Sequence, residues 1–317
     1  MRARESRSES VGPAGFLVVD KPAGWTSHDV VDQARRWLGT RRVGHLGTLD
    51  PLATGVLPLA VREATKLVPF LAAGIKHYVG TIRLGRETDT LDAEGQVVRD
   101  HVGPLPDTAA VHAALAALTG DLEQIPPMFS AVKHHGVPLY RLARRGEQVA
   151  RTPRRIRVEC FRGVRFASPD LEIEVICSPG TYVRVLAADL GQALGCGAHL
   201  LGLRRTRSGP FDVAQAKSVE VLAAAAERER GELEAHLVPA ALPLGFPSLR
   251  LDLEEARQIV CGGDLRRPAA APRFPPGTRV AALDARGTLF AVLEARADHS
   301  LRPLRVLREV ADREPLC

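Results

Sequence analysis

Strands and helices interleave along the 317 residues, a pattern that predicts an α+β or mixed α/β fold with a small β-rich module at its C-terminal end. Residues 78–84 (YVGTIRL) and 171–177 (LEIEVIC) alternate with the period of two expected of strands, while 28–38 and 182–194 carry helical periodicity with capping or glycine stop signals. The apolar, Pro-containing connector 237–248 (LVPAALPLGFPS) divides these elements from the last segment.

Taken in order, residues 15–19 (GFLVV) read as a strand ending in the turn Asp20-Lys21-Pro22-Ala23-Gly24. Thr26 and Ser27 offer N-caps to the first helix, whose apolar face is Val30, Val31, Ala34, Trp37 and Leu38. Residues 43–55 (VGHLGTLDPLATG) hold too much Gly, Pro and Thr for a regular element and read as a loop, with a helical or extended segment over 64–71. After the strand at 78–84 come a polar loop, a strand beginning at 96–98 and an amphipathic helix over 107–119. Residues 125–155, rich in Pro, Gly, His and Arg, read as an irregular insertion. The turn Ser178-Pro179-Gly180-Thr181 leads into the helix closed by Gly195 and Gly197. A helix over 219–236 precedes the connector; a helix over 253–260 and strands over 279–284, 288–297 and 304–307 follow it. The expected domains are a disordered tail (1–13), a main domain (14–240) and the β-rich module (247–312).

Bulk properties exclude several classes. No run of 18 apolar residues is present, which predicts no membrane span. The polar N-terminus has no apolar core of a secretory signal, and Glu5 and Glu9 count against a transit peptide. Five scattered cysteines (Cys160, Cys177, Cys196, Cys261, Cys317) form no CxxC pair, as expected of thiols in the reducing cytoplasm. Net charge is +6, and residues 125–165 alone carry +8, leaving −2 elsewhere. So localised an excess is the footprint of a polyanion such as nucleic acid. Only five of the 43 basic residues are Lys (21, 66, 76, 133 and 217), so a retained Lys hints at a place wanting a compact ammonium rather than a planar fork.

Common catalytic signatures are absent: there is no P-loop and no G-x-G-x-x-G opening a helix. The acids of DTLDAEG (89–95) miss calcium-loop spacing and read as an acid-capped turn, and His134-His135 lacks a third ligand nearby, so no metal is expected. That leaves Asp50, followed by Pro51 and flanked by Gly44, Gly47 and Gly55. A carboxylate held in such a loop suits nucleophilic or proton-abstracting work, and equally suits a turn that caps backbone N–H groups.

Five blocks in fixed order, covering about residues 14–213, together resemble the bacterial tRNA pseudouridine-55 synthase family. They are DKPAGWTSHDVV, VGHLGTLDPLATGVLPLAVREATKL, KHYVGTIRLGRETDTLDAEG, QIPPMFSAVKHHGVPLYRLARRG and CSPGTYVRVLAADLGQALGCGAHLLGLRRTRSGPF. The resemblance implies a central mixed, mainly antiparallel sheet flanked by helices, plus a PUA-like RNA-binding module at the C-terminus. It implies that Asp50 is the catalytic carboxylate and Arg184 its partner. Tyr78 would pack on the target base and assist proton removal at carbon 5. His45 would support the space vacated by the flipped base, Tyr182 and Leu203 would line the base pocket, and Lys21 would play a supporting electrostatic or structural part. Lys133, Arg141, Arg144, Arg204 and Arg205, with Arg207, are expected to contact RNA phosphates.

The implied reaction turns uridine into its isomer, so no cofactor is expected. The enzyme breaks the bond from sugar to base nitrogen, rotates the base and rejoins it through carbon 5. A carboxylate can serve by attacking the anomeric carbon, attacking carbon 6, or removing the 2′ proton. The expected partner is the T-arm of tRNA, bound by a monomer that needs no other protein and flips its target base. Alternatives are a non-catalytic tRNA-binding or tRNA-folding protein, or a relative modifying other RNA.

Overall fold

The computed structural model describes residues 12–266 and 273–307; the expected disordered tail, apart from residues 12 and 13, lies outside the described residues. The main sheet runs through β1 (Gly15–Lys21), β2 (Thr54–Val61), β3 (Lys76–Leu84), β4 (Gly120–Gln124), β5 (Arg154–Ala167), β6 (Asp170–Cys177) and β7 (Ala198–Ser208). Their spatial order is β1-β2-β7-β3-β6-β5-β4. Pairing is mainly antiparallel; β7 meets β2 in parallel, and the short strand Lys217–Ser218 lies parallel to β1. The flanking helices are α1 (Ser27–Leu38), α2 (Thr108–Ala117), α3 (Val183–Ala193), α4 (Val219–Arg228) and α5 (Arg230–Ala235). A second sheet, β8 (Ser248–Arg250), β9 (Arg279–Leu283), β10 (Leu289–Ala295) and β11 (Leu301–Val306), follows α6 only in part, since β8 precedes α6 (Leu253–Val260). The expected α+β architecture is observed.

β1 and β2 are buried on both faces, which is why their sequences are almost unbroken apolar runs. Leu17, Val19, Leu57 and Leu59 face α1, α3 and α4 in one core. Phe16, Val18, Val56 and Ala60 face the other way, into a core shared with Ala281, Leu289, Val292 and Leu307 of the second sheet. Each fully buried Val, Leu or Phe contributes roughly 1.5–3 kcal/mol. The two sheets are also tied by Lys66, which donates from Nζ to the Val306 carbonyl and pairs with Glu63.

The structure departs from the sequence reading where local composition misleads. The first three and last two residues of the expected loop 43–55 are strand: Val43–His45 is a short strand, and Thr54 and Gly55 open β2, a central strand containing Pro58. Proline is tolerated because β2 changes neighbours there: Thr54 and Gly55 pair with β7, Leu59 to Val61 with the short strand Val43–His45. β5 and β7 are masked in the sequence by their arginines, which are exposed on β5 and range from buried Arg205 to exposed Arg207 on β7. The helix expected over 219–236 breaks at Glu229, whose backbone is extended (φ −152°, ψ 143°). Within 125–153 the chain makes only a small hairpin (Lys133–His134 with Val137–Pro138) and a short helix, Leu139–Ala143, and residues 154 and 155 of the expected insertion open β5.

Gly55 has φ +99°, and a Cβ there would lie 2.2 Å from the Arg205 carbonyl oxygen on β7. Gly55→Ala is therefore expected to destabilise the protein by roughly 2–4 kcal/mol in urea unfolding. A loss under 1 kcal/mol would mean the two strands are less tightly apposed than described.

Candidate active site

Asp50 sits on the loop between Val43–His45 and β2, and both of its chain neighbours are clasped by the segment that opens α1. Thr26 caps α1 in a reciprocal capping box with Asp29, which sets the helix start. Ser27 Oγ accepts from the Leu49 N–H (2.8 Å) and donates to the Leu49 carbonyl (3.0 Å). The Pro51 carbonyl accepts from the Gly24 N–H (2.9 Å) and from Lys21 Nζ (3.2 Å). Lys21 is fully buried, and its ammonium also donates to the Pro22 and Trp25 carbonyls. Lys21 is thus a clamp on the loop, with Asp50 near enough to favour its charge.

Arg184, at the start of α3 and 3% exposed, grips Asp50 bidentately: Nε to Oδ2 at 2.9 Å and Nη2 to Oδ1 at 3.0 Å. Its other N–H groups go to the Phe129 carbonyl (2.7 Å) and the Thr90 carbonyl (3.4 Å). Buried Asp92 Oδ2 stands 4.0 Å from Nε, so two carboxylates flank one guanidinium. The fork fixes the direction of the Asp50 carboxylate. Burial and the neighbouring Asp92 and Asp50 charges raise the Glu94 carboxyl above its ordinary range.

A cleft of about 330 Å³ opens beside Asp50, and His45, Tyr78, Tyr182 and Leu203 all line it. Tyr78 is buried, which pushes its phenol above the ordinary value, while the nearby Arg205 guanidinium opposes that shift. Burial lowers the His45 pKa, and its Nδ1 accepts from the Gly47 N–H at 3.3 Å, so the ring is neutral with its proton on Nε2. Gln124 at the end of β4 holds the Tyr182 backbone from both sides, donating to its carbonyl (3.1 Å) and accepting from its N–H (2.7 Å). The cleft therefore presents an oriented carboxylate between aromatic and aliphatic walls, a shape suited to a flat polar ring.

One expected phosphate contact is corrected. Arg205 is 1% exposed and donates to the Val56, Thr48 and Gly47 carbonyls, so it braces the Asp50 loop from beneath. Arg204 pairs bidentately with Asp20 (2.9 and 2.7 Å) while its side chain stays 38% exposed. Lys133, Arg141 and Arg144 are exposed on the insertion, as an RNA-facing role requires. The +8 run is partly quenched in the fold: Arg157 pairs with Asp121, Arg162 with Glu174 and Arg165 with Glu172, across neighbouring strands. Sequence reasoning missed Ser27 as a loop clasp, Asp92 as the second carboxylate at Arg184, and Gln124. Only Asp92 left a signal, in the acidic DTLDAEG turn.

Residues 35–183 match the family profile described as TruB family pseudouridylate synthase (N terminal domain), and 184–244 match that of the tRNA pseudouridylate synthase B C-terminal domain. The second match falls on α3, β7, α4 and α5 of the main domain, so the four-stranded sheet lies beyond both. The tRNA pseudouridine synthase B of Thermobifida fusca is 46% identical over 280 residues, 85% of this chain and 93% of that protein. The protein of the same name from Rhodococcus jostii is 45% identical over 93% of this chain and 95% of that one. Among solved structures, a chain of a Cbf5–Nop10–Gar1 complex is 26% identical and superposes with a TM-score of 0.69, covering 92% of this chain and 84% of that one.

Burial holds the Lys21 ammonium down to about 8 against an ordinary value of 10.5. Between those values the unfolded chain binds the proton and the folded chain does not, so this group's contribution to stability rises with pH from about 8, by at most about 1.4 kcal/mol per pH unit. Lys76, also lowered to about 8, adds to the slope. Cys177, pushed up to about 11 from 9.0, acts in the opposite sense above pH 9. Unfolding free energy is expected to climb from pH 8 to 9 and more gently from pH 9 to about 10, where Cys177 offsets one of the two lysines, with a shallower climb in Lys21→Met. A profile flat or falling over that unit contradicts two lysines lowered by burial.

Proposed function

The chain belongs to the TruB family of pseudouridylate synthases, and from that premise we propose that it converts a uridine of tRNA, position 55 in the T-loop, to pseudouridine. The observation that carries this reading is the bidentate Arg184–Asp50 pair at the edge of a cleft walled by Tyr78, Tyr182 and Leu203. Asp50 is the essential carboxylate, Arg184 holds it aimed, Tyr78 packs on the base, and Tyr182 and Leu203 line the pocket. His45 occupies the space the base vacates, and Lys21 and Ser27 keep the loop still. The target base must leave its stack to reach Asp50, at a cost of a few kcal/mol. Exposed Lys133, Arg141 and Arg144 on the insertion offset that cost at the RNA backbone.

The second sheet serves as a PUA-like module that grips the acceptor arm, with Arg250, Arg286, Arg302 and Arg305 exposed for it. The domains run over about 14–240 and 247–312. The protein works as a cytoplasmic monomer; no helix of the described residues is long and apolar enough to cross a membrane.

Tritium release from tRNA labelled at uridine carbon 5 tests the reading. Wild type is expected to release label from T-loop substrate without added cofactor, and Asp50→Ala to fall by at least about 10⁴-fold. Normal turnover by Asp50→Ala would remove Asp50 from the chemistry. Activity confined to RNA other than the T-loop would overturn the substrate alone.

A further inference from the structure

β3 begins with a lysine that the fold leaves unsatisfied. Lys76 is 5% exposed, and its Nζ is screened from solvent with no hydrogen-bond partner among the described residues. Its register neighbours are Cys177 on β6 and Ser208 on β7, and neither relieves it. Burial keeps the Cys177 thiol protonated, and Ser208 Oγ is itself without a partner. The charge that acts on it most is of the same sign, Arg205; Lys76 Cε and Arg205 Nη1 both lie within 4 Å of where a side chain on Gly47 would begin. Burial and Arg205 lower the ammonium only to about 8, so it stays protonated at neutral pH. An unpaired buried cation beside another cation is costly in the free protein, and a methionine of similar length would avoid that cost.

Lys76 lines the cleft that holds Asp50 and Tyr78. Side chains alternate along a strand, so Lys76 and Tyr78 stand on one face of β3, one repeat apart. A second unpartnered polar atom, Ser130 Oγ, belongs to a residue lining the same cleft. Ser130 follows Phe129, whose carbonyl accepts from Arg184.

We infer that Lys76 binds a carbonyl oxygen of the target uracil and stabilises the negative charge that oxygen gains during isomerisation, with Ser130 completing the polar edge of the base site. The inference rests on the reaction proposed above but not on its route. Attack at the anomeric carbon, or removal of the 2′ proton, breaks the bond from that carbon to N1 with the electron pair leaving on N1 and spreading to O2 and O4. Attack at carbon 6 instead drives the π pair onto carbon 5 and O4. In each case carbon 5 later supplies the pair that forms the new bond to the sugar, carbon 5 loses its proton, and N1 gains one. Lys76 transfers neither atom nor electron; it holds opposite charge in a site shielded from water, where such a contact acts most strongly. A compact ammonium suits a single oxygen better than a fork, consistent with a lysine in a chain that otherwise uses arginine.

Single-turnover pseudouridine formation in T-loop tRNA, tRNA affinity and melting temperature are compared in wild type, Lys76→Met and Lys76→Gln. Lys76→Met is expected to melt a few degrees higher, to bind tRNA within about threefold of wild type, and to form product at least about 100-fold more slowly. Lys76→Gln, which keeps a donor without the charge, is expected to fall between. A Lys76→Met rate within threefold of wild type overturns the inference. So does a loss confined to affinity, which would put the ammonium on a phosphate. If Lys76→Met does not fold, Lys76→Gln is read by the same criteria, and failure of both to fold makes Lys76 a structural residue. A wild type inert on T-loop tRNA sinks the proposed function and this inference with it; an active wild type with an unimpaired Lys76→Met sinks only the inference.

Discussion

The contact between Arg184 and Asp50 is the constraint around which the rest of the site is arranged. One guanidinium, at the start of α3, gathers the Asp50 carboxylate, the Thr90 and Phe129 carbonyls and the nearby Asp92. Three separate stretches of chain are thereby referenced to a single planar group. A buried ion pair seldom adds much net stability, because both charges lose water. What it supplies is direction: two parallel N–H···O bonds leave the carboxylate little freedom to rotate.

That constraint would mean little if the loop itself could drift. Residues 49 and 51 are each pinned by the turn and helix start at 21–27, and Arg205 supports 47, 48 and 56 from below. The loop lacks regular secondary structure, yet its backbone carbonyls are engaged by charged donors on both sides. Order here comes from side chains reaching to backbone, which is why glycine, proline and threonine can dominate the segment without making it mobile.

Legibility in the sequence followed the range of the forces involved. Strands and helices with a single buried face, such as β3, β6, α1 and α3, announce themselves by period, and their bounds were read to within about two residues. β2 was hidden because both its faces are buried and Pro58 argues against a strand; only the change of neighbour along its edge makes that proline harmless. Asp50, Tyr78 and Arg184 were legible through motif order. The partners of Arg204 and Arg205 were not: Asp20 lies 184 positions from Arg204, and the carbonyls that bind Arg205 lie about 150 away. Cationic side chains look alike in a sequence, and only the fold decides which of them meet solvent.

The shared back-face core has a consequence for how any RNA is read. Because Phe16, Val18, Val56 and Ala60 interlock with Ala281, Leu289 and Val292, the second sheet is cemented to the same strands whose ends carry Lys21 and the loop of Asp50. If the second sheet grips RNA as proposed, grip and chemistry are set a fixed span apart, like the jaws of a gauge. Such a partner would be accepted for the distance between its features, and a sequence placed at the wrong spacing would not reach the carboxylate however well its bases fit.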